Sequence, residues 1–209
     1  ADIDGEALGD TSGTSVSLSS DGSIVAIGAP ANASGSVRVY KYISPNWTQI
    51  GVDIDGETAG DYSGWSVSLS SDGNILAIGA PANGSASGSV RVYQFNSVSW
   101  EQIGIDIDGE TADDNSGTSV SLSSDGSILA IGAILNDGNG SASGSVRVYQ
   151  NSYGTWTQIG LDIDGEAAGD TSGRSVYLAS NGSKVAIGAY FNDGNGTGSY
   201  TGSVRMFDL

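Results

Sequence analysis

The sequence predicts an all-β fold, a β-propeller built from four tandem four-stranded antiparallel blades whose last blade lacks its outer strand. Three observations lead there. The stretch Ser15 to Ala29, Ser-Val-Ser-Leu-Ser-Ser-Asp-Gly-Ser-Ile-Val-Ala-Ile-Gly-Ala, returns almost unchanged from Ser66, Ser119 and Ser175. Each copy sets an alternating run against an apolar run across Asp-Gly or Asn-Gly, the dipeptides that favour a tight hairpin turn between antiparallel strands. Among 209 residues there are 33 Gly and only 3 Pro, without a collagen period. That usage fits turns recurring every ten residues or so, and helical periodicity is hard to place anywhere.

Asp2, Asp53, Asp106 and Asp162 mark equivalent points, spaced by 51, 53 and 56 residues. Such a period signals a repeat architecture with one supersecondary element per unit. The chain reads as one repeat domain, 1–209, with units near 1–51, 52–104, 105–160 and 161–209. In the first unit strand a is predicted over Thr14 to Ser19, strand b over Ile24 to Ala29, strand c over Ser36 to Tyr42 and strand d over Trp47 to Val52. Strand b is apolar on both faces, so its sheet must be covered on both sides. Strand c alternates Val37 and Val39 with Arg38 and Tyr40, and strand d brings Trp47, Trp100 and Trp156 at one per unit. Sheets buried on both faces and repeated in tandem pack about an axis as propeller blades. A β-helix or a flat stack of sheets is the alternative, although its coils usually repeat over fewer residues.

The composition excludes several kinds of function. Seven basic against 24 acidic residues give a formal charge of −17, and no basic cluster exists to hold phosphates, which argues against nucleic acid or an anionic membrane surface as partner. No apolar run reaches membrane-spanning length, so membrane insertion is not expected, and residue 1 already lies inside a repeat, so any leader is removed or was never included. The chain has no Cys and no His. The usual zinc, copper, haem and iron–sulfur sites lose their ligands, and nucleophilic catalysis loses its commonest base.

The run Ser-Gly-x-Ser-Val, a hairpin, Ala-Ile-Gly-Ala-Pro and Gly-Ser-Val-Arg-Val-Tyr resembles the FG-GAP repeat of integrin α-type propellers, with Ser12-Gly13, Ser63-Gly64, Ser116-Gly117 and Ser172-Gly173 where Phe-Gly is usual. Gly28-Ala29-Pro30 and Gly79-Ala80-Pro81 keep the second element, whereas Gly132-Ala133-Ile134 and Gly188-Ala189-Tyr190 have lost the proline. The resemblance covers all four units and implies the propeller fold. Calcium-binding members carry a longer acidic loop in the a to b hairpin. The single carboxylates Asp21, Asp72 and Asp125 here, with Asn181 in the last unit, fall short of the six or more oxygens calcium takes. The family commonly closes seven blades, and four units are present.

Candidate sites follow from the repeat. Asn32, Asn83, Asn139 and Asn195 begin sequons in the b to c loop, and Asn46 and Asn181 begin two more, so covalent N-glycans on surface loops are expected, the alternative being chance copying of a Ser- and Asn-rich loop. The acidic segments holding Asp2 and Asp4, Asp53 and Asp55, Asp106 and Asp108, and Asp162 and Asp164 have a calcium-like spacing; ordinary turn chemistry is the more economical reading. Arg38, Arg91, Arg147 and Arg205 are expected to pair with Glu6, Glu57, Glu110 and Glu166. Trp65, Tyr177, Tyr190 and Tyr200 break the repeat and mark where a binding surface is expected. No catalytic set emerges, because each carboxylate pair recurs in every unit whereas an active site needs residues unique to one place. The expected function is a non-enzymatic structural or adhesive module, extracellular or on the cell surface, glycosylated and pairing with copies of itself through an incomplete blade edge, edge to edge or head to tail, into filaments unless rotation closes a ring. The alternative is a propeller that binds carbohydrate or protein, with calcium where the acidic segments hold it.

Overall fold

The computed structural model describes residues 2–194 and 200–209, and it is all-β with four antiparallel sheets in sequence order. The first sheet holds β1 (Ser15–Leu18), β2 (Ile24–Ala29), β3 (Ser36–Ile43), β4 (Asn46–Gln49) and β5 (Ile54–Asp55). The second holds β6 (Ser66–Leu69), β7 (Ile75–Ala80), β8 (Ser89–Phe95), β9 (Trp100–Gln102) and β10 (Ile107–Asp108). The third holds β11 (Ser116–Leu122), β12 (Ile128–Ala133), β13 (Ser145–Ser152), β14 (Thr155–Gln158) and β15 (Ile163–Asp164). The fourth has three strands, β16 (Ser172–Leu178), β17 (Lys184–Ala189) and β18 (Ser203–Asp208).

The first three sheets are meanders in which a, b, c and d follow one another, and the fourth runs a, b, c among the described residues; the register repeats: Ser15 lies opposite Gly28, Ser66 opposite Gly79, Ser119 opposite Gly132 and Ser175 opposite Gly188. The Asp-Gly turns form as the dipeptide predicts. Asp21 Oδ1 accepts from the Ser19 hydroxyl at 2.7 Å and from the Ser23 amide at 2.9 Å, which locks the hairpin from inside.

Strand d differs from the expectation. It runs over Asn46–Gln49 rather than to Val52, because the chain turns at Gly51, whose φ is +77°. Beyond the turn Ile54–Asp55 returns to pair with Ser36 and Val37 of β3. The acidic segment that holds Asp53 and Asp55 thus ends in a short strand, with Ile54 and its counterpart Ile107 buried, and the first sheet takes in residues assigned by sequence to the second unit.

The core lies between sheets. Ile24, Ala26, Val37 and Val39 of the first sheet meet Leu69, Leu76 and Ile78 of the second, and the same contact recurs between the second and third and between the third and fourth. What lets the sheets approach is a glycine at the end of each strand b. A Cβ on Gly28 would lie 2.1 Å from the Gly64 carbonyl oxygen; Gly79 and Gly132 face Gly117 and Gly173 at the same distance. The hydroxyls of Ser15, Ser66 and Ser119 donate to those same three carbonyls at 2.7–2.8 Å.

Candidate functional site

Inner strands β1, β6, β11 and β16 gather about one axis: the ends of all four line a single serine-rich cavity of 250 Å³ beside the hairpin turns, with Tyr177 at its mouth. Adjacent inner strands are tied by amides, Ser20 donating to the Ser71 carbonyl, Ser71 to Ser124 and Ser124 to Ser180. Satisfied by neighbours and small side chains, this end offers little chemistry.

The opposite end, where the inner strands begin, is different. Two columns of the repeat converge there. One holds Thr11, Tyr62, Asn115 and Thr171, all with φ between 51° and 58°; such a backbone is uncommon for any residue except glycine, and for threonine and tyrosine it is strained. The other holds Thr14, Trp65, Thr118 and Arg174. The middle members of these columns and Arg174 line a groove of 320 Å³ floored by Pro81, Ala82 and Ile134. Tyr62 and Trp65 stand as an aromatic pair, centroids 6.2 Å apart and planes tilted by 58°. Both remain well exposed, at 45% and 39%. Asn115 is fixed by donating its amide to the carbonyls of Pro81 and Ala86, and Thr118 donates to the Asn115 carbonyl at 2.8 Å. Arg174 is exposed, and among the described residues no hydrogen bond or ion pair engages it. An indole and a phenol ring beside an unpaired guanidinium, on a chain of net charge −17, form a surface that can stack on a flat apolar face and accept an anionic or hydroxyl-rich group.

Of the repeat-breaking aromatics marked from sequence, Trp65 therefore reaches this groove. Tyr177 sits at the other end of the axis. Tyr190 and Tyr200 enclose Phe191, with centroids 4.7 and 5.0 Å from it. Tyr62, Asn115, Thr118 and Arg174 were not singled out, although stacking the four repeats column by column exposes both sets.

The acidic segments are distributed as structural groups. Asp53, Asp106 and Asp162 accept from Gln49, Gln102 and Gln158 at 2.6–2.7 Å, while Asp55, Asp108 and Asp164 lie in the short strands that close each sheet; Asp2 and Asp4 are exposed at the start of the chain. Asp10, Asp61, Asp114 and Asp170 are buried and accept backbone amides three residues earlier. Among the described residues no three carboxylates come together as a cation cluster. Glu6 faces Asp53, whose charge and hydrogen bond push its carboxyl above the ordinary value. Burial first and then the facing Asp106 and Asp162 do the same to Glu57 and Glu110.

The arginines on strand c are held differently from the expectation. Arg38 lies 3.9 Å from Glu6, but its shorter contact is a hydrogen bond to the Asp4 carbonyl at 2.9 Å. Arg91, Arg147 and Arg205 likewise donate to the carbonyls of Asp55, Asp108 and Asp164. Each guanidinium also covers the ring of Tyr40, Tyr93, Tyr149 or Phe207, at 5.3–5.7 Å. A carbonyl and a ring face thus supply much of what a buried cation requires. Trp100 and Trp156 of strand d pack between sheets, donating to the carbonyls of Ile50 and Ile103 at 3.1 Å, whereas Trp47 of the first sheet stacks on Tyr42, with centroids 5.3 Å apart.

The sequons separate into two groups. Asn32 donates its amide to Ser36, Asn83 to Glu57 and Asp61, and Asn139 to the carbonyls of Gly165 and Glu166. Asn136 and Asn192, which are buried and begin no sequon, repeat the role of Asn83 toward Glu110 and Asp114 and toward Glu166 and Asp170. Asn46 and Asn181 lie exposed on hairpins. Asn195 lies outside the described residues.

Four consecutive antiparallel sheets, inner strands about one axis and an axial groove define a propeller-type repeat chain. Residues 105–149 match the model of the FG-GAP repeat, and the motifs of that stretch recur in the other units. Comparison with curated proteins returns no match. Among solved structures, hydrazine synthase of Kuenenia stuttgartiensis matches at 15% identity and TM-score 0.61 over 100% of this chain and 49% of that one. A protein of Bacteroides uniformis assigned as a 6-phosphogluconolactonase matches at 15% and 0.60, over 92% and 57%. TolB of Acinetobacter baumannii matches at 14% and 0.52, over 93% and 40%. The chain thus spans about half the length of these structures, and at such identity the likeness is one of fold.

Proposed function

We propose that the chain is a non-enzymatic propeller module that binds a ligand in the groove at Trp65 and serves as a structural or adhesive element outside the cell or on its surface. The observation that carries this reading is the coincidence of place: Tyr62, Trp65 and Arg174 are departures from the repeat, and all three face one groove at the axis end. A scaffold that repeats itself has no packing reason to put two rings and an unpaired cation at a single point. The non-enzymatic part rests on the opposite pattern, carboxylates that recur unit by unit in structural roles, as is typical of FG-GAP repeats. A saccharide bearing carboxylates or sulfates fits the site best, since its ring face stacks on the indole while its anion meets the guanidinium. In this reading the module also carries N-glycans at exposed sequons and associates with its own copies.

The test is a panel of acidic and neutral oligosaccharides titrated against Trp fluorescence and calorimetry. Binding of an acidic member that is lost in Trp65→Ala and weakened about tenfold or more in Arg174→Ala, as expected for a desolvated charge contact of about 1.5–3 kcal/mol, supports the groove. Binding unaffected by both substitutions refutes it.

A further inference from the structure

The outer strand of each of the first three sheets is broken at the same place. Between β4 and β5 the chain swings out at Gly51-Val52-Asp53, and Gly104-Ile105-Asp106 and Gly160-Leu161-Asp162 repeat the excursion, with glycine φ of +74° to +82°. Two of the three residues serve the fold. Gly51 and Gly104 let the chain come close to the next sheet: a Cβ on Gly51 would lie 2.8 Å from Trp100 Cδ1, and one on Gly104 would lie 2.8 Å from the Gly154 carbonyl oxygen. Each aspartate accepts from the glutamine four residues earlier. The residue between them is aliphatic every time, yet Val52, Ile105 and Leu161 are 79%, 86% and 89% exposed.

The junctions between the first and second and between the second and third sheets also expose apolar groups from the other side. The c to d hairpins that Gly51 and Gly104 approach carry Val98 and Tyr153 at their tips, each at least 79% exposed. Tyr153 keeps a φ of +52°, which glycine or asparagine would hold with less strain. Apolar side chains scattered singly over a surface need no explanation, but a column that stays aliphatic in successive units, beside apolar hairpin tips, marks an interaction surface. The charge next to it is mostly of one sign. Asp53 faces Glu6 and Asp106 faces Glu57. Arg38, Arg91 and Arg147 are buried and donate to backbone carbonyls, which leaves Lys41 as the exposed cation of the first three sheets, with Gln94 and Gln150 in its place in the second and third.

We infer that these two junctions form a docking strip for a basic polypeptide laid along the outer rim, its apolar side chains covering the exposed pair at each junction and its lysines or arginines meeting the carboxyl pairs beside them. A compact ligand needs residues gathered at one place, whereas an extended chain meets the same contact once per unit, so repetition of an exposed residue suits it. A cation set between Glu57 and Asp106 offsets their mutual repulsion, and apolar cover over Ile105 keeps out the water and salt that would screen it. The net charge of −17 opposes both a second copy of the chain and an anionic membrane on the same strip. The strip lies on the outer strands and the groove at Trp65 lies at the axis, so neither reading depends on the other.

The test titrates a fluorescently labelled synthetic peptide that alternates lysine with leucine, read by anisotropy, against the wild type, the double variant Val52→Ser with Ile105→Ser, and Leu8→Ser, which changes an exposed aliphatic residue outside the strip. All three substitutions replace exposed side chains and leave the net charge unchanged, so circular dichroism should not move. The expected result is salt-sensitive binding that falls about tenfold or more in the double variant, from lost cover on two aliphatic side chains, and is retained in Leu8→Ser. A peptide alternating lysine with serine should bind the wild type as weakly as the double variant binds the leucine peptide. Equal affinity of the leucine peptide for wild type and double variant overturns the strip, as does no binding at all. Self-association in sedimentation, or capture on phosphatidylserine vesicles, that the double variant abolishes would put a second copy or a membrane on the strip and overturn the basic partner.

Discussion

Alanine at Gly132 and alanine at Gly188 make the same chemical change in the same column of the repeat, and the architecture assigns them opposite outcomes. At Gly132 the new Cβ falls 2.1 Å from the Gly173 carbonyl oxygen and 2.5 Å from Ser119 Oγ, so the third and fourth sheets must part. Overpacking of that kind costs about 1–3 kcal/mol. The Ser119 to Gly173 bond of 2.7 Å is lost with it, adding about 0.5–1.5 kcal/mol. These sum to about 1.5–4.5 kcal/mol, and the gain of about 0.4–1 kcal/mol from a less flexible unfolded chain leaves about 0.5–4 kcal/mol, a fall in Tm of roughly 1–16 °C for a domain of this size. At Gly188 the Cβ meets, among the described residues, only Ser175, whose Oγ at 2.5 Å belongs to a rotatable side chain. Its displacement costs about 0.5–1.5 kcal/mol, and the gain of about 0.4–1 kcal/mol from a less flexible unfolded chain nearly offsets it. Calorimetry at a concentration where the chain is monomeric compares the two. Equal destabilisation would mean that these glycines serve their own strands, and the account of how the sheets approach would be wrong.

Three further outcomes are expected. Glu6, Glu57 and Glu110 have folded values above the ordinary 4.5, so their contribution to stability is complete below that value and is lost as pH rises through the folded values. Asp21 is held down to about 2 by the Ser19 hydroxyl and the Ser23 amide and hydroxyl, and Asp72 and Asp125 are lowered by equivalent bonds that, for Asp72, outweigh burial. Their contribution is present above the ordinary 3.8 and disappears as pH falls. Thermal melts should accordingly pass through a maximum in mild acid, and replacing the three glutamates by glutamine should flatten the neutral side; a melting profile unchanged by that triple variant would contradict the facing carboxyl pairs. Asp114→Ala removes the acceptor of the Thr111 amide and the Asn136 amide and should cost about 1–3 kcal/mol, read by urea denaturation, against less than about 0.5 kcal/mol for Asp2→Ala at an exposed position. In a glycosylating secretory host, peptide mapping should find Asn46 and Asn181 occupied ahead of Asn32, Asn83 and Asn139, whose amides are engaged in the fold; the reverse order would show that attachment precedes those hydrogen bonds.

Most of the strand plan was legible because it is local. Strand b is recorded in an unbroken apolar run, the hairpin in Asp21-Gly22, and the covered face of strand c in the alternation of Val37 and Val39. What was not legible depends on contact between units. Ile54 reads as part of an acidic segment until β3 is beside it, because a two-residue strand leaves no periodicity to detect. Arg38 reads as a partner for Glu6, since a backbone carbonyl has no letter in the sequence. Asn83 reads as a sequon although its structural counterparts are Asn136 and Asn192, because Asn139 and Asn195 supplied the Asn-x-Ser/Thr pattern in a lengthened loop and drew the alignment away from the buried column.

The repeat also explains why function is hard to read here and where to seek it. A residue copied into every unit answers a need that every unit shares: closing a hairpin, filling the space between sheets, receiving a neighbouring carbonyl. Ligand recognition has no such need four times over, so it falls to columns where the copies disagree. Thr14, Trp65, Thr118 and Arg174 occupy one column and Thr11, Tyr62, Asn115 and Thr171 another, with the strained positive φ retained throughout the second. The backbone was kept while its side chains diverged, which separates a framework held for geometry from a surface free to change.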